Sequence, residues 1–183
     1  MAYEATGSTG KAVEVPDSAL AHSPIEDSSE RDEYERLLVR LYEERGQPEA
    51  AENVYRNVLS ARRKHYGDFH DDVASALFGL AAVLVDHGNQ SEAEDALREC
   101  LSIREAALES PEELTCPTTT VCRTMEALTA LSELLETPSR SSEADEFRSR
   151  AVALLDRGRS CSADTVRRIE ELNRRMATEV ENP

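Results

Sequence analysis

The chain has 183 residues, a formal net charge of −16, and a composition that is 39% hydrophobic but only 4% aromatic. This length suffices for one compact domain. A strongly acidic chain repels phosphate backbones and anionic lipids, so the charge argues against nucleic acid or a membrane surface as partner and favours basic ones. No apolar run approaches the roughly 20 residues that span a bilayer. The N-terminus lacks a basic region followed by an apolar core, so we expect no secretory signal. We therefore expect a cytoplasmic protein.

Residues 1–29 differ in composition from the rest of the chain. They contain Gly7, Gly10, Pro16, Pro24 and several serines, with five acids against a single lysine. Low hydrophobicity without helical periodicity is typical of disorder, so we expect a disordered acidic tail. Both a flexible interaction segment and a plain solvated leader are consistent with this composition.

The first two predicted helices form a pair. Apolar residues spaced three and four apart predict a helix from about Ser29 to Arg45. Its predicted apolar stripe consists of Tyr34, Leu37, Leu38, Leu41 and Tyr42. Gly46 ends this helix, since glycine adopts the left-handed conformation common after a helix. A second helix then runs to about Tyr66 and ends at Gly67.

A second pair follows the same plan. Its first helix is predicted from about Asp71 to His87. Ser91 and Glu94 predict a capping box at the start of the partner helix, in which each side chain satisfies a free backbone donor. Residues 110–120 then contain two prolines and a run of threonines, which predict a loop.

A third pair and a final helix complete the predicted body, which spans 30–181. The third pair covers about 120–136 and 142–157, and Arg148 occupies a normally apolar position there, which predicts loosened packing. The last helix, about 162–180, has one apolar face, as a helix covering the end of a repeat stack requires. That face consists of Val166, Ile169, Leu172 and Met176. We predict an all-α superhelix of three helix pairs with a C-terminal capping helix.

The three pairs, at about 30–67, 70–109 and 120–157, are copies of one another. Between the first two copies the spacing is 42 residues, and it places Leu38 on Leu80, Gly46 on Gly88, Glu52 on Glu94, Arg56 on Arg98 and Arg62 on Arg104. Between the last two it is 51 residues, and it places Ala76 on Ala127, Leu80 on Leu131 and Glu92 on Glu143. A fixed period in this range indicates stacked supersecondary units, whose long surfaces favour binding.

A family resemblance is carried by residues 61–108. The motif residues there are Gly67, His70, Val73, Ala74, Leu77, Leu80, Ala81, Gly88, Glu92, Ala93 and Glu94. This pattern resembles the 42-residue tetratricopeptide repeats of the kinesin light chain family. The resemblance implies a right-handed superhelix whose concave face, lined by the first helix of each pair, holds a peptide or partner segment.

The resemblance also implies which residues face that groove. By position they are Arg36, Arg40, Ser75, Phe78, Ala82, Val85, Asp86, Glu126, Thr129 and Glu133. Where the light-chain family often carries an asparagine pair that grips peptide backbone, this chain has Phe78 and Gly79, which indicates an apolar pocket. Phe78 either lines this pocket or packs under the neighbouring repeat. Acids at the far end, including Glu136, favour a mixed apolar and basic ligand.

We therefore expect a non-catalytic interaction module or adaptor that docks a segment of another protein and needs no cofactor. The alternative is a structural subunit, such as a homodimer, that self-associates through repeat-end surfaces.

Catalytic or metal chemistry is weakly indicated. The densest cluster of polar ligands is His65, Asp68, His70, Asp71 and Asp72. It lies in the loop between repeats, where the family resemblance accounts for His70 and a helix N-terminus favours the acids, so we predict no metal site. The four cysteines form no CxxC pair, and a reducing compartment makes disulfides an unexpected feature. We predict no catalytic residue.

Overall fold

The computed structural model describes residues 28–109, 117–155, 166–171 and 174. Its helices in these ranges are α1 (Ser28–Glu44), α2 (Pro48–Tyr66), α3 (Asp71–Asp86), α4 (Gln90–Glu109), α5 (Pro117–Leu134) and α6 (Ser141–Ala153). Residues 166–171 form a further helical segment. The described residues contain no strand, and the all-α fold of stacked helix pairs is confirmed. Most of the predicted tail and much of the predicted last helix lie outside the described residues.

Glycines form the turns within the first two pairs. Gly46 follows α1 with a φ angle of 66°, and Gly88 follows α3 with a φ angle of 80°. Both angles lie in the left-handed region, which a side chain disfavours. The amide of Gly46 donates to the carbonyl of Glu43 at 2.8 Å, and that of Gly88 donates to Val85 at 3.0 Å. These bonds satisfy carbonyls that a helix end leaves unpaired, and the predicted stops are confirmed.

Two helix starts differ from the prediction. α5 begins at Pro117 rather than near Thr120. Proline suits the first position of a helix, because its φ angle is already helical and the N–H that it lacks would have no partner there. α4 begins at Gln90, so Ser91 lies inside the helix and the predicted capping box is wrong. The carboxylate of Glu94 instead accepts hydrogen bonds from Arg140 at 2.6 and 2.8 Å.

The core runs continuously through the three pairs. Ala81 and Ala93, which are 2% and 0% exposed, stand where α3 and α4 pack together, and their small side chains allow a close approach. Phe147 brings the third pair into the same core, and Ile169 is 1% exposed. The helical segment 166–171 therefore turns an apolar side chain inward, as predicted for a capping helix. Among the described helices, none is both long and apolar enough to cross a membrane.

The buried face of α1 is rotated from its predicted position. Leu38 and Tyr42 are buried as predicted, but Glu35 is also buried, at 2% exposure. Tyr34 and Leu37 are 38% and 42% exposed. α1 packs against α2 and, to a lesser extent, α3, so its remaining apolar side chains face away from the stack.

Two buried arginines connect each pair to the next. Arg62 of α2 donates to both carboxylate oxygens of Glu35, at 2.8 and 3.0 Å, and to the carbonyl of Asp72 in α3 at 3.0 Å. Arg104 of α4 lies 42 residues later and donates to the carbonyl of Arg123 in α5 at 2.7 Å. Both side chains are under 5% exposed. The arginine at this repeat position therefore bonds, in both repeats, to the first helix of the following pair.

Arg148 does not loosen the third pair, so that prediction is wrong. Its side chain is 5% exposed and is paired with Asp145 at 2.7 Å and with Glu136 at 3.1 Å. The long stem packs within the pair while the guanidinium reaches two carboxylates at its edge, an arrangement that arginine permits.

A ladder of ion pairs joins the second helices across the back of the stack. Arg56 in α2 bonds to Glu52 on its own helix at 2.8 Å and to Glu92 of α4 at 2.6 Å. Arg98 repeats this arrangement 42 residues later and reaches Glu143 of α6. Single exposed pairs contribute little, but a repeated network fixes the register of neighbouring pairs.

Candidate binding groove

A cavity of about 360 Å³ lies between the first helices of the three pairs. Side chains of α1, α3 and α5 line it, together with Tyr55 and Arg104 from the second helices. Seven of the ten predicted groove residues line this first cavity: Arg36, Arg40, Ser75, Phe78, Ala82, Asp86 and Glu126. The first helices thus converge on one surface, although α2 and α4 also contribute side chains to it.

A second cavity of about 510 Å³ adjoins the first and is formed mainly by α3, α4 and α5. Val85 and Glu133 of the predicted set line it, and Phe78, Ala82 and Asp86 are common to both cavities. Its apolar lining also includes Leu97, Ala130 and Leu134, which the sequence reasoning did not place in the groove. We refer to the two cavities together as the groove.

Thr129 is a correction to the predicted groove. Its side chain is 2% exposed, and its hydroxyl donates to the carbonyl of Met125 at 2.8 Å. The side chain therefore lies in the packed interior of α5 and bonds to its own helix, as threonines within helices often do.

Phe78 combines the two alternatives that the sequence left open. Its ring is half-buried and packs against the core, yet it lines both cavities. The guanidinium carbon of Arg104 lies 5.7 Å from the ring centroid, within the range of a cation–π contact. Phe78 therefore forms a fixed ridge between the cavities rather than a freely exposed anchor.

Gly79 has a packing role next to this ridge. A Cβ atom at this position would lie 2.2 Å from Cε1 of Tyr55 and 2.4 Å from its Cζ. The ring of Tyr55, which is buried and also lines the first cavity, thus occupies the space where a side chain would be. The glycine lets α2 approach α3 closely.

Charged groups at the floor of the first cavity bond to one another. Arg123 donates to Asp71 at 2.7 Å and to the hydroxyl of Ser75 at 3.0 Å. Nε of Arg104 lies 3.5 Å from the carboxylate of Asp71. Ser75, predicted as a groove residue, is therefore held in this network. The sequence signal for this network was the 42-residue spacing that places Arg62 on Arg104.

Two of the acids predicted at the far end of the groove are already paired. Glu133 bonds to Arg168, with Nε 2.8 Å from its carboxylate, and this contact raises the pKa of the Arg168 guanidinium. Glu136 pairs with Arg148 at 3.1 Å. These carboxylates therefore offer less negative charge to a ligand than the sequence suggested.

The α1 side of the groove carries charges of both signs, the guanidinium groups of Arg36 and Arg40 and the carboxylate of Glu43. Arg36 is paired with Glu33 at 3.1 Å, but the two side chains are 63% and 73% exposed, so solvent competes strongly with this pair. Arg40 is exposed and makes no ion pair with a described residue. Both guanidinium groups are accessible from the first cavity.

The polar loop between the first and second pairs has a structural explanation. Nδ1 of His70 accepts a hydrogen bond from the amide of Asp72 at 3.1 Å and so caps α3. The imidazole ring stacks on Tyr66 with centroids 4.4 Å apart, and Asp71 is paired with Arg123 at 2.7 Å. Among the described residues, no group of three or more His, Cys, Asp or Glu side chains is placed to hold a metal ion.

Two cysteines lie within the described residues. Cys100 is buried and free, and burial raises the pKa of its thiol to about 11. This thiol is protonated at neutral pH and is a poor nucleophile. Cys122 is disulfide-bonded, which corrects the expectation that disulfides would be absent.

These features define a helix-pair repeat protein with an open groove across its first helices. Residues 33–106 match the family model of the tetratricopeptide repeat, so the resemblance to that repeat is confirmed over this range. No curated protein matches the chain.

Two solved structures with which the chain shares similarity are of one kinesin light chain-like protein with nearly identical TPR-like repeats, from Podosopora anserina. The chain is 21% identical to this protein, with a TM-score of 0.42 over 91% of this chain and 89% of that one. It is 22% identical to a single-residue variant of it, again with a TM-score of 0.42, over 87% of this chain and 89% of that one.

Proposed function

We propose that this protein is a non-catalytic interaction module that binds an extended segment of another protein in the groove. The observation that carries the proposal is the pair of adjoining cavities that share the Phe78 ridge. Ligand sites are typically concave and largely apolar, with a few placed polar groups. Tetratricopeptide repeats generally mediate protein–protein interaction, which agrees with this use of the surface.

The second cavity offers a site for an apolar side chain of the segment, and Arg40 offers a site for one acidic residue. The second cavity offers an apolar surface that includes Val85, which is 42% exposed. Glu133 and Glu136 are neutralised by arginines of this chain, whereas Arg40 is exposed and unpaired among the described residues. A carboxylate beside Arg40 gains a charge-assisted hydrogen bond. We therefore propose an acidic residue beside Arg40, while the basic ligand expected from the sequence stays a prediction.

The groove is also prepared for binding without a large rearrangement. Its floor is held by the bonds of Arg123 to Asp71 and Ser75, and its central ridge packs against the core. A preformed site loses less conformational entropy when a ligand binds. We therefore propose that the groove, rather than the segments that join the pairs, supplies the affinity for the ligand.

A peptide-display selection tests this function. Peptides recovered by the wild-type protein are measured for binding to Ala82→Glu and Val85→Glu, two exposed groove positions, with circular dichroism confirming that each variant is folded. Leu37→Glu is the matched control, because Leu37 and Val85 are both 42% exposed but only Val85 lines the groove. We expect binding to be lost in both groove variants and retained in the control. Equal binding by all three variants would refute the groove assignment.

Arg40→Gln tests the charge preference separately. This substitution is expected to weaken peptides that carry an acidic residue by about tenfold, the effect of losing one charge-assisted contact. Peptides without an acid should be unaffected. A selection that yields mainly basic peptides would contradict the proposed charge preference while leaving the groove itself in place.

A further inference from the structure

The outer face of α1 is apolar and no described helix covers it, although the equivalent face of α3 is buried. A spacing of 42 residues places Tyr34 on Ala76 and Leu37 on Gly79. In α3 this face packs against α2, and Ala76 is 0% exposed. In α1 the two large side chains are 38% and 42% exposed. The face of α3 that α2 covers therefore corresponds to an open apolar face on α1.

The residues on this face exclude a covering helix that packs as closely as α2 does. α2 reaches α3 because Gly79 leaves room for the ring of Tyr55. Tyr34 and Leu37 fill the corresponding space on α1. A covering helix must therefore lie at an ordinary helix–helix distance of about 8–10 Å, with side chains interlocking between the two.

The neighbouring surface of α2 is not built to receive another repeat of the same pattern. In α4, Glu92 accepts a bond from Arg56 at 2.6 Å and Glu99 accepts one from Arg63 at 2.5 Å. The equivalent positions in α2, 42 residues earlier, are Ala50 and Asn57. The carboxylates of the ion-pair ladder are therefore missing at this end, and uncharged side chains stand in their place.

We propose that two copies of this chain dimerise through the outer face of α1, about a two-fold axis near Leu37. A two-fold contact uses the same face of both copies and closes on itself. Head-to-tail stacking is disfavoured because the other end is occupied by the helical segment 166–171, which buries Ile169 and pairs Arg168 with Glu133. Leu37 lines neither cavity, and the dimer surface shares only the flanking Arg40 with the groove, so the proposal does not depend on the proposed function.

Charge also favours a second copy of the chain. The net charge of −16 opposes self-association in general, but the flank of α1 carries both signs. Antiparallel pairing about Leu37 places Glu33 of one copy opposite Arg40 of the second copy, because these residues lie on either side of the axis at nearly equal distances. The existing pair of Glu33 with Arg36 is largely exposed, so exchanging it costs little.

Sedimentation equilibrium of the full chain over a wide concentration range tests the dimer. We expect wild type to approach twice its monomer mass of 20.3 kDa, and Leu37→Glu to raise the dimer dissociation constant by about tenfold or more, because it places two like charges at the axis. Val85→Glu is the matched control and should dimerise like wild type, since Val85 has the same 42% exposure.

Site-specific cross-linking gives a second, independent measurement. Leu37→Cys should form a covalent dimer under mild oxidation, because residues beside a two-fold axis face their own copies. Val85→Cys and wild type, which carry the same native cysteines, should not. Three results would overturn the proposal: a monomeric wild type at all concentrations, a dimer that Leu37→Glu leaves intact, or covalent dimers that form equally without Cys at position 37. A monomeric wild type would also be the outcome if another part of the chain or a different protein covers α1.

Discussion

Replacing Glu35 by leucine should be among the most destabilising single changes in α1, although leucine is the more hydrophobic residue. Glu35 is 2% exposed and Arg62 is 4% exposed, and two hydrogen bonds of 2.8 and 3.0 Å join them. Glu35→Leu leaves the guanidinium buried without this carboxylate, and breaking a buried pair from one side costs about 3–5 kcal/mol. At about 2–4 °C per kcal/mol for a chain of this size, the melting temperature should fall by about 6–20 °C.

Thermal and urea unfolding followed by circular dichroism measures this cost. Glu33→Leu is the control on the same helix, because Glu33 is paired with Arg36 at 3.1 Å but is 73% exposed. Its loss should cost no more than about 1 kcal/mol. The double variant Glu35→Leu with Arg62→Met should recover most of the stability, since replacing both members of a buried pair by apolar residues is often neutral or stabilising. Equal effects of the two leucine substitutions would refute the reasoning.

Three further predictions concern other parts of the stack. Gly79→Ala should destabilise the protein by about 1–3 kcal/mol through overpacking on Tyr55, despite the better helix propensity of alanine, and a variant melting above wild type would contradict this. His70→Ala should cost about 0.5–2 kcal/mol by removing the cap of α3, measured against His65→Ala, which removes no such bond. The bonds from Arg140 lower the pKa of Glu94 to about 2, so this contact stabilises the fold above the unfolded pKa and is lost as the pH falls towards 2. Glu94→Gln should therefore lower the melting temperature at neutral pH, by a margin that shrinks below pH 4.5; a margin that is constant with pH would contradict the assignment.

The helical framework could be predicted because it depends on local and periodic signals. Gly46 and Gly88 mark turns through a backbone requirement that few other residues meet, and the structure places both at positive φ. The repeated leucines and alanines specify which faces are buried in α3, where α2 and α4 cover two sides of the helix. Periodicity sufficed there because the helix has neighbours on both sides.

Periodicity failed where the number of neighbours changes. The apolar residues of α1 predict one stripe, but Tyr34 and Leu37 are exposed while Glu35 is buried. Apolar spacing does not reveal that α1 lacks a covering helix on one side, nor that Arg62 from another helix neutralises Glu35. Thr129 was misplaced for a related reason, since a polar side chain can satisfy itself on its own helix and remain inside. These outcomes depend on tertiary partners that are distant in sequence.

The distribution of arginine bonds connects the fold to the proposed binding surfaces. Arg56 and Arg98 are used on the back of the stack, and Arg62 and Arg104 are buried between pairs. Each of these side chains holds one repeat against its neighbour, and of the four only Arg104 also lines the groove. The guanidinium groups of Arg36 and Arg40 on α1 remain accessible from the first cavity. An acidic chain can thus keep accessible guanidinium groups at a binding surface, because its internal ion pairs determine which charges remain available for recognition.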